Sequence, residues 1–435
     1  MALPVVVSQL GHTLVHTADS MIVGHFVGTI PLAAVSLVHS VFMIVMVLGI
    51  GIATGLTPLV AMANGSRKPD ECGLLLSNSL SINIVSGILL FCLVYFGSMV
   101  AIDHLDQDPE VVEVAKPYLL IMSLSIIPLM VFNTFKQFLE GLGFTRQAMN
   151  ITIWGNLLNV LLAIVFVRGM FGISPMGVEG VGYATLIDRC LMAVVMTTYT
   201  FRAARFRPYL KYFNFFKLQL RRCVAIIRIG APVALQYVFE VGAFAGAAIM
   251  AGTLGANEQA AHQIAITLAA MTYMMASGIA SAATVKTANS YGRQKFVRLK
   301  RFATANYHIV LVFMVAAAFI FVIFNQYLPW IFTTDAVVIG IAAQLLLIAG
   351  LFQLFDGTQV VGLGILRGLG DVKIPTMITF VAYWVIGLPA GYLMSAQFGM
   401  GILGIWFGLT AGLLTSSVLL YIRYRKLVQR LELPA

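Results

Sequence analysis

Three carboxylates stand inside long apolar stretches of this chain. Asp19 lies between Ala18 and Ser20, Glu240 between Phe239 and Val241, and Asp356 between Phe355 and Gly357. An ionisable side chain inside such a stretch is costly, so it usually faces a cavity and often carries function. A carboxylate there can take up a proton or a small cation and release it when its solvation changes. The other reading is a static hydrogen-bonded acid that holds helices together. Asp19 also shares roughly one helical face with Gln9, His12 and His16. The His12–His16 spacing of i,i+4 could seat a metal ion, or the two rings could line a cavity or a hydrogen-bonded core. Lys136 and Glu140 stand i,i+4 and suit a local ion pair. Asp188 and Arg189 are adjacent and point to different faces, which leaves their role open. Lys286 lies near a helix end, where it can snorkel.

The elements that position these groups are membrane-spanning helices. Of 435 residues, 60% are hydrophobic and 10% charged, against about 25% charged in soluble proteins. Stretches of about 20 apolar residues, the length that crosses a bilayer, recur along the whole chain. Their backbones must satisfy their own hydrogen bonds in lipid, so each reads as a helix. Twelve spans follow, at roughly 2–27, 32–63, 73–102, 116–140, 145–168, 178–203, 224–252, 258–289, 301–326, 337–366, 373–396 and 401–424. The chain opens on an apolar helix without a charged leader or cleavage site, so no cleavable signal peptide is expected. The four cysteines (Cys72, Cys92, Cys190, Cys223) have no Cys-x-x-Cys spacing, which argues against a disulfide framework or a zinc site.

Charge sorts the loops. Arg67, Lys68, Arg146, Arg202, Arg205, Arg207, Lys211, Lys217, Arg221, Arg222, Arg293, Lys295, Arg298, Lys300, Arg301, Arg367, Lys373 and the tail bases Arg423, Arg425, Lys426 and Arg430 fall on one side. The other side carries Asp103, Asp106, Asp108, Glu110, Glu113, Glu179, Glu258 and Asp335. Basic residues stay cytoplasmic, so both termini are expected in the cytoplasm. The net charge of +10 therefore reports topology rather than a nucleic-acid partner.

The chain also repeats itself. Glu140-Gly141-Leu142-Gly143 returns 227 residues later as Arg367-Gly368-Leu369-Gly370, and the same shift carries Gln9 to Gln236, Ala33-Ala34 to Ala260-Ala261 and Gly65 to Gly292. A shift of 224 carries Met176-Gly177 and Gly180 to Met400-Gly401 and Gly404. The expected fold is thus an all-α membrane protein: twelve transmembrane helices in two parallel six-helix pseudo-repeat bundles around a central cavity. Residues 1–205 form the N-terminal lobe, 206–223 a basic cytoplasmic linker and 224–435 the C-terminal lobe. Pro4 and Pro232 occupy corresponding first helices and permit a kink there. Bending at Pro4 would change the surroundings of Asp19; unchanged transport in a Pro4→Ala variant would count against that coupling.

These residues resemble the multidrug and toxic compound extrusion (MATE) family over essentially the whole chain. The resemblance is carried by Gln9 with Asp19-Ser20-Met21-Ile22-Val23-Gly24 and Leu32-Ala33-Ala34, by Gln137-Phe138-Leu139-Glu140-Gly141-Leu142-Gly143, and by Pro232 with Phe239-Glu240-Val241. It continues in Ala260-Ala261-His262-Gln263, Phe355-Asp356-Gly357, Leu366-Arg367-Gly368-Leu369-Gly370-Asp371 and Pro375. The glutamate of the seventh span looks like the NorM-type branch. By this resemblance Glu240 and Asp356 are coupling-ion carboxylates of the C-terminal lobe that also face substrate, and Gln263 stands near the substrate. Asp19, Asn159 and Thr185 match an N-lobe cation site, and Asp335 an acidic extracellular-loop position near substrate. Two positions depart from the pattern. Ala163 stands one turn after Asn159, where another oxygen-bearing side chain is usual, and Phe352 one turn before Asp356, where sodium-coupled relatives carry an aromatic hydroxyl. Sodium wants several oxygen ligands and a proton needs one carboxylate, which tilts the expectation toward proton coupling.

The resemblance implies a secondary antiporter of the bacterial inner membrane. It would export cationic amphipathic compounds in exchange for H+ or Na+ by alternating access, as a monomer in lipid, with no organic cofactor and no metal beyond Na+. The runner-up is a lipid-linked oligosaccharide flippase of the same superfamily, whose cavity would favour bases for a pyrophosphate; the span centres here carry mostly acids. No His-Glu-x-x-His or Gly-x-Ser-x-Gly motif and no protease-like pair of intramembrane aspartates suggests an enzyme. A channel would pass a large ionic current across a planar bilayer.

Overall fold

A computed structural model describes residues 2–102 and 109–432, with the side chains at 12–14, 98–102 and 432 left aside. The His12 side chain and the loop acids Asp103, Asp106 and Asp108 lie outside the described residues. Twelve long helical segments follow one another: α1 (Ala2–Phe26), α2 (Thr29–Gly65), α3 (Pro69–Ile102), α4 (Pro109–Leu142), α5 (Thr145–Arg168), α6 (Gly177–Arg202), α7 (Leu220–Leu254), α8 (Ala256–Gly292), α9 (Phe296–Ile323), α10 (Ala336–Gly368), α11 (Lys373–Gln397) and α12 (Gly401–Glu432). Among the described residues α2 to α12 are each long and apolar enough to cross a membrane, and the architecture is that of an all-α integral membrane protein. Several helices start earlier than their apolar runs. The extra turns carry charge, as with Asp70 and Glu71 in α3 and Glu110 in α4, and such turns fall outside a hydropathy window.

The repeat is written into the backbone as well as the sequence. Positive φ recurs 227 residues apart at Gly28 and Gly255 (129° and 152°), Gly143 and Gly370 (94° and 76°), Gly172 and Gly399 (84° and 65°), and at the non-glycine pair Arg67 and Gln294 (both 56°). Gly177 and Gly401 repeat it at 224 (55° and 54°). Non-glycine residues adopt positive φ in only a few per cent of cases, so the Arg67–Gln294 match is informative. One tertiary contact obeys the same shift. Thr57 Oγ1 meets the Gln137 carbonyl (3.3 Å) and, more closely, its side-chain Oε1 (2.5 Å) across α2 and α4, and Thr284 Oγ1 meets the Gly364 carbonyl across α8 and α10 (2.8 Å). A Cβ on Gly141 would come within 2.9 Å of the Thr57 carbonyl, and one on Gly368 within 2.6 Å of the Thr284 carbonyl. Glycine lets the two backbones approach, the usual device for packing helices in lipid.

The chain divides into two compact units, Val7–Ala234 and Leu235–Ala435 with Met1–Val6. The boundaries fall two residues past Pro4 in α1 and two residues past Pro232 in α7. The basic segment read from the sequence as a linker, 206–223, lies in the N-terminal unit. It is tied to α3 there: the Asn214 and Gln219 amides donate to Ser77 Oγ (2.8 Å) and Asn78 Oδ1 (2.7 Å), and Arg222 makes a two-point ion pair with Glu71 (3.0 and 2.6 Å).

In the C-terminal unit, α8, α9 and α12 pack around α10, whose buried face runs from Val338 to Gly368. Helix α11 is not a regular α-helix. Val381–Gly387 and Leu393–Gln397 are π-helical on either side of Leu388–Tyr392. Pro389 cannot donate a backbone bond, which loosens the ladder around it, and such wide turns recur at functional sites. The first π turn carries Tyr383.

Candidate functional site

Helices α7, α8, α10 and α11 bring one polar cluster together inside the C-terminal unit. Glu240 and Asp356 are both buried, at 5% and 2% exposure. Their charges act on each other, and both act on the hydroxyls of Tyr273 and Tyr383. Arg367, in the last turn of α10, opposes the charge of Glu240. Its guanidinium donates to the Tyr237 hydroxyl (3.3 Å) and lies 5.5 Å from that ring's centroid. Tyr237 and Glu240 stand i,i+3 on α7, so the arginine is held beside the glutamate by a neighbour on the same face. Amides complete the cluster. Gln359 and Tyr383 exchange hydrogen bonds at 3.0 and 3.3 Å, and Thr272 donates to Gln353 Oε1 (2.7 Å). Glu240 Oε1 and Gln353 Nε2 are buried without a hydrogen-bond partner. An orphaned buried carboxylate oxygen costs several kcal/mol, on the order of a lost charged hydrogen bond with its desolvation. A bound proton or cation removes that cost.

A second cluster lies inside the N-terminal unit. Asp19 is 1% exposed, and both its carboxylate oxygens lack a hydrogen-bond partner. It feels Arg189 and Asp188, both buried on α6. Arg189 donates to Ser125 Oγ (2.7 Å), reaches Met46 Sδ (3.8 Å) and lies 5.0 Å from the Phe42 ring centroid. Two imidazoles lie beside Asp19. His16, one turn earlier on α1, meets His39 of α2 edge to face at 4.9 Å, and His39 Nε2 is bonded to the Tyr118 hydroxyl (3.0 Å). Asn159 of α5 donates to Thr185 Oγ1 of α6 (3.1 Å), while Asn159 Oδ1 is buried without a partner. Asp188 follows Thr185 by one turn.

The site residues read from the sequence are therefore distributed as follows. Glu240 and Asp356 share one cluster, Asp19 another, and Asn159 and Thr185 are bonded to each other. Asp335 and Gln263 join neither cluster. Asp335 is exposed and caps α10, accepting from the Val337 and Val338 amides (2.8 and 3.3 Å). It precedes Asp356 by 21 residues of helix, or about 30 Å at 1.5 Å per residue. Gln263 is exposed on α8, its side chain bonded to Thr267 of its own helix (3.4 Å). It stands ten residues before Tyr273, about 15 Å along the same axis. Ala163 and Phe352 are both buried, and Phe352 packs on Trp406 with ring centroids 5.4 Å apart. A cavity of about 690 Å³ between α9, α10 and α12 is lined by Lys300, Tyr307, His308, Phe355, Thr358 and Arg425 among others, but not by Glu240 or Asp356.

Several participants escape a reading of the sequence. Arg367 counts there as a loop base, yet it sits within α10 and faces Glu240. Tyr237, Tyr273 and Tyr383 pass as apolar residues in a hydropathy reading. Gln353, three residues before Asp356, was the available signal: a buried amide needs partners. Asp188 and Arg189, adjacent and read as pointing apart, are both buried and both act on Asp19.

Three comparisons bear on this arrangement. The MatE family profile matches residues 4–165 and again 232–393, two matches whose starts are 228 residues apart. The chain is 32% identical over 427 residues to a multidrug resistance protein, NorM, of Aliivibrio fischeri, covering 97% of this chain and 92% of that protein. It is 30% identical over 435 residues to a probable multidrug resistance protein, NorM, of Agrobacterium fabrum, covering 99% and 93%. The fold is shared with an outward-facing multidrug resistance MATE family transporter of the MOP superfamily (TM-score 0.86, 22% identity, 99% of this chain and 95% of that one).

Proposed function

This chain belongs to the MatE family, and from that premise we propose that it exports cationic amphipathic compounds in exchange for H+ or Na+. The observation that carries the reading is the C-terminal cluster, where Glu240 and Asp356 are buried together and Glu240 Oε1 has no partner. One half-buried guanidinium, Arg367, opposes the charge of Glu240. The cluster is short of positive charge, and three ligands can make up the difference: a proton, a sodium ion or the cationic group of a substrate. Occupancy by one removes the electrostatic reason for another to stay. That competition makes exchange obligatory, a reciprocal coupling of two ligands through the same groups.

The work comes from the membrane. A one-for-one exchange of monovalent cations moves no net charge, so the concentration gradient of H+ or Na+ drives it, with about 1.4 kcal/mol for each tenfold ratio. Inside the cluster the residues divide the task. Glu240 and Asp356 take up the cation, and Arg367 limits the charge that must be neutralised. Tyr273 and Tyr383 offer hydroxyls that can hydrogen-bond either charge state of the acids. Proton exchange is favoured over sodium because Phe352 offers no oxygen one turn before Asp356. Alternating access in the bacterial inner membrane, with both termini cytoplasmic, completes the reading.

The test is efflux of a fluorescent organic cation from reconstituted vesicles, with pH and sodium gradients imposed separately. A pH gradient is expected to drive the wild type and to leave Glu240→Gln and Asp356→Asn at background. Normal efflux in both variants would remove the C-terminal cluster from coupling. A wild type indifferent to the cation and to both gradients would favour a lipid-linked cargo instead.

A further inference from the structure

We infer that the N-terminal unit holds a binding site for a divalent transition-metal ion of the zinc class, built from His16, Asp19 and His39. One ligand atom from each lies within 4.8 Å of the others. Two imidazoles and one carboxylate form a donor set that such ions take readily, with the remaining positions open to water. Donors around a tetrahedral ion at 2.0–2.2 Å stand about 3.3 Å apart, so from separations within 4.8 Å seating the ion asks for a contraction of about 1.5 Å or less, within reach of rotation about the histidine side-chain bonds.

Two further observations aim the donors at a ligand. Asp19 is 1% exposed and has neither oxygen bonded, and the buried His16 Nδ1 also has no partner. These are three lone-pair-bearing atoms of two neighbouring side chains, one turn apart on α1, without a donor to receive. His39 has the support that metal-ligating histidines commonly show. Its Nε2 is bonded to the Tyr118 hydroxyl (3.0 Å). With the proton on Nε2, that bond leaves the Nδ1 lone pair to the metal.

Charge agrees. Asp19, Asp188 and Arg189 act on one another, two acids against one base, while neutral imidazoles add nothing. Arg189 does not take the place of the ion. Its terminal nitrogens are engaged by Ser125 and Met46, and its plane faces Phe42. The histidines belong to this unit alone. At the shift of 227 their counterparts are Ala243 and Ile266, and that of Asp19 is Gly246. An occupied site would clamp α1 to α2 through the acid of the N-terminal cluster. The assignment does not depend on which cluster couples export, because binding needs no substrate and no gradient.

The experiment is titration of the purified full chain in detergent with Zn2+ by calorimetry, and with Co2+ by visible absorption. One Zn2+ per chain is expected, with Co2+ bands of an imidazole-ligated, low-coordinate ion. His16→Ala and His39→Gln should each weaken binding at least tenfold, and Tyr118→Phe about tenfold or more, as loss of a histidine's supporting bond does. Gel filtration and the thermal transition establish that each variant is folded. Should a variant fail to fold, the zinc-edge absorption spectrum of the wild type decides: two imidazoles in the ligand shell support the site, and a shell without imidazole overturns it. Equal Zn2+ affinity in wild type, His16→Ala and His39→Gln, or no binding by the wild type, also overturns it.

Discussion

The two halves of this molecule share a scaffold and not a chemistry. The turns at Gly143 and Gly370, the left-handed residues Arg67 and Gln294, and the threonine-to-carbonyl bonds of Thr57 and Thr284 all recur at one shift. The charged residues do not. Asp356 stands where the other half has Leu129, Asp19 where the other has Gly246, and Arg367 where the other has Glu140. The recurring backbone has steric reasons: Gly141 and Gly368 let two helices touch, and Gly143 and Gly370 turn the chain at positive φ. Buried charges met no such demand. Each half placed its acids at different points of the same frame, so the halves have no structural reason to perform the same task. The C-terminal cluster sets two acids with three tyrosines against one arginine, and the N-terminal cluster sets two acids with two histidines against one arginine.

Gly141→Val and Gly368→Val each force a side chain onto a facing carbonyl. Both should lose several kcal/mol, at or beyond the upper end of the about 1–3 kcal/mol typical of overpacking, because backbone rather than side chain must yield. Folded, monodisperse yield in detergent checks this. A large loss for one and none for the other would mean that the halves are not equivalent in packing. Next is the charge difference. Arg367→Gln removes the one base that faces Glu240, and gradient-driven efflux is expected to fall about tenfold or more, whereas Glu140→Gln at the matching position should leave it within twofold.

Asp335→Ala deletes the α10 cap and should cost about 1 kcal/mol, seen as a lowered thermal transition with efflux retained; loss of efflux at full stability would return Asp335 to the substrate path. Thr57→Val and Thr284→Val should each cost about 1 kcal/mol, the net worth of an ordinary hydrogen bond, and by similar amounts.

Much of this was legible in the sequence. Apolar run length marks twelve helices because lipid permits no other backbone. The repeat shows in Glu140-Gly141-Leu142-Gly143 because Gly141 and Gly368 stand at close helix crossings and Gly143 and Gly370 at positive-φ turns. Asp19, Glu240 and Asp356 stand out because an acid in an apolar run is rare. What stayed hidden is what hydropathy does not weigh. Arg367 was assigned to a loop since a base near a helix end ordinarily lies in the cytoplasm. Tyrosines 237, 273 and 383 counted as apolar mass. The π turns of α11 leave no pattern of their own, and Pro389 signals only that the helix is interrupted. Asp188 and Arg189 were read as pointing apart from their adjacency, yet the charges of both act on Asp19, because its neighbours come from helices far away in sequence.

One measurement decides whether the two clusters divide the work as proposed: proton-driven efflux of a fluorescent cation from vesicles holding wild type, Glu240→Gln, Asp356→Asn or Asp19→Asn at equal reconstitution. Background rates are expected for the two C-terminal variants and retained, slower efflux for Asp19→Asn. The reverse pattern, with Asp19→Asn inactive and the C-terminal variants near wild type, would contradict it.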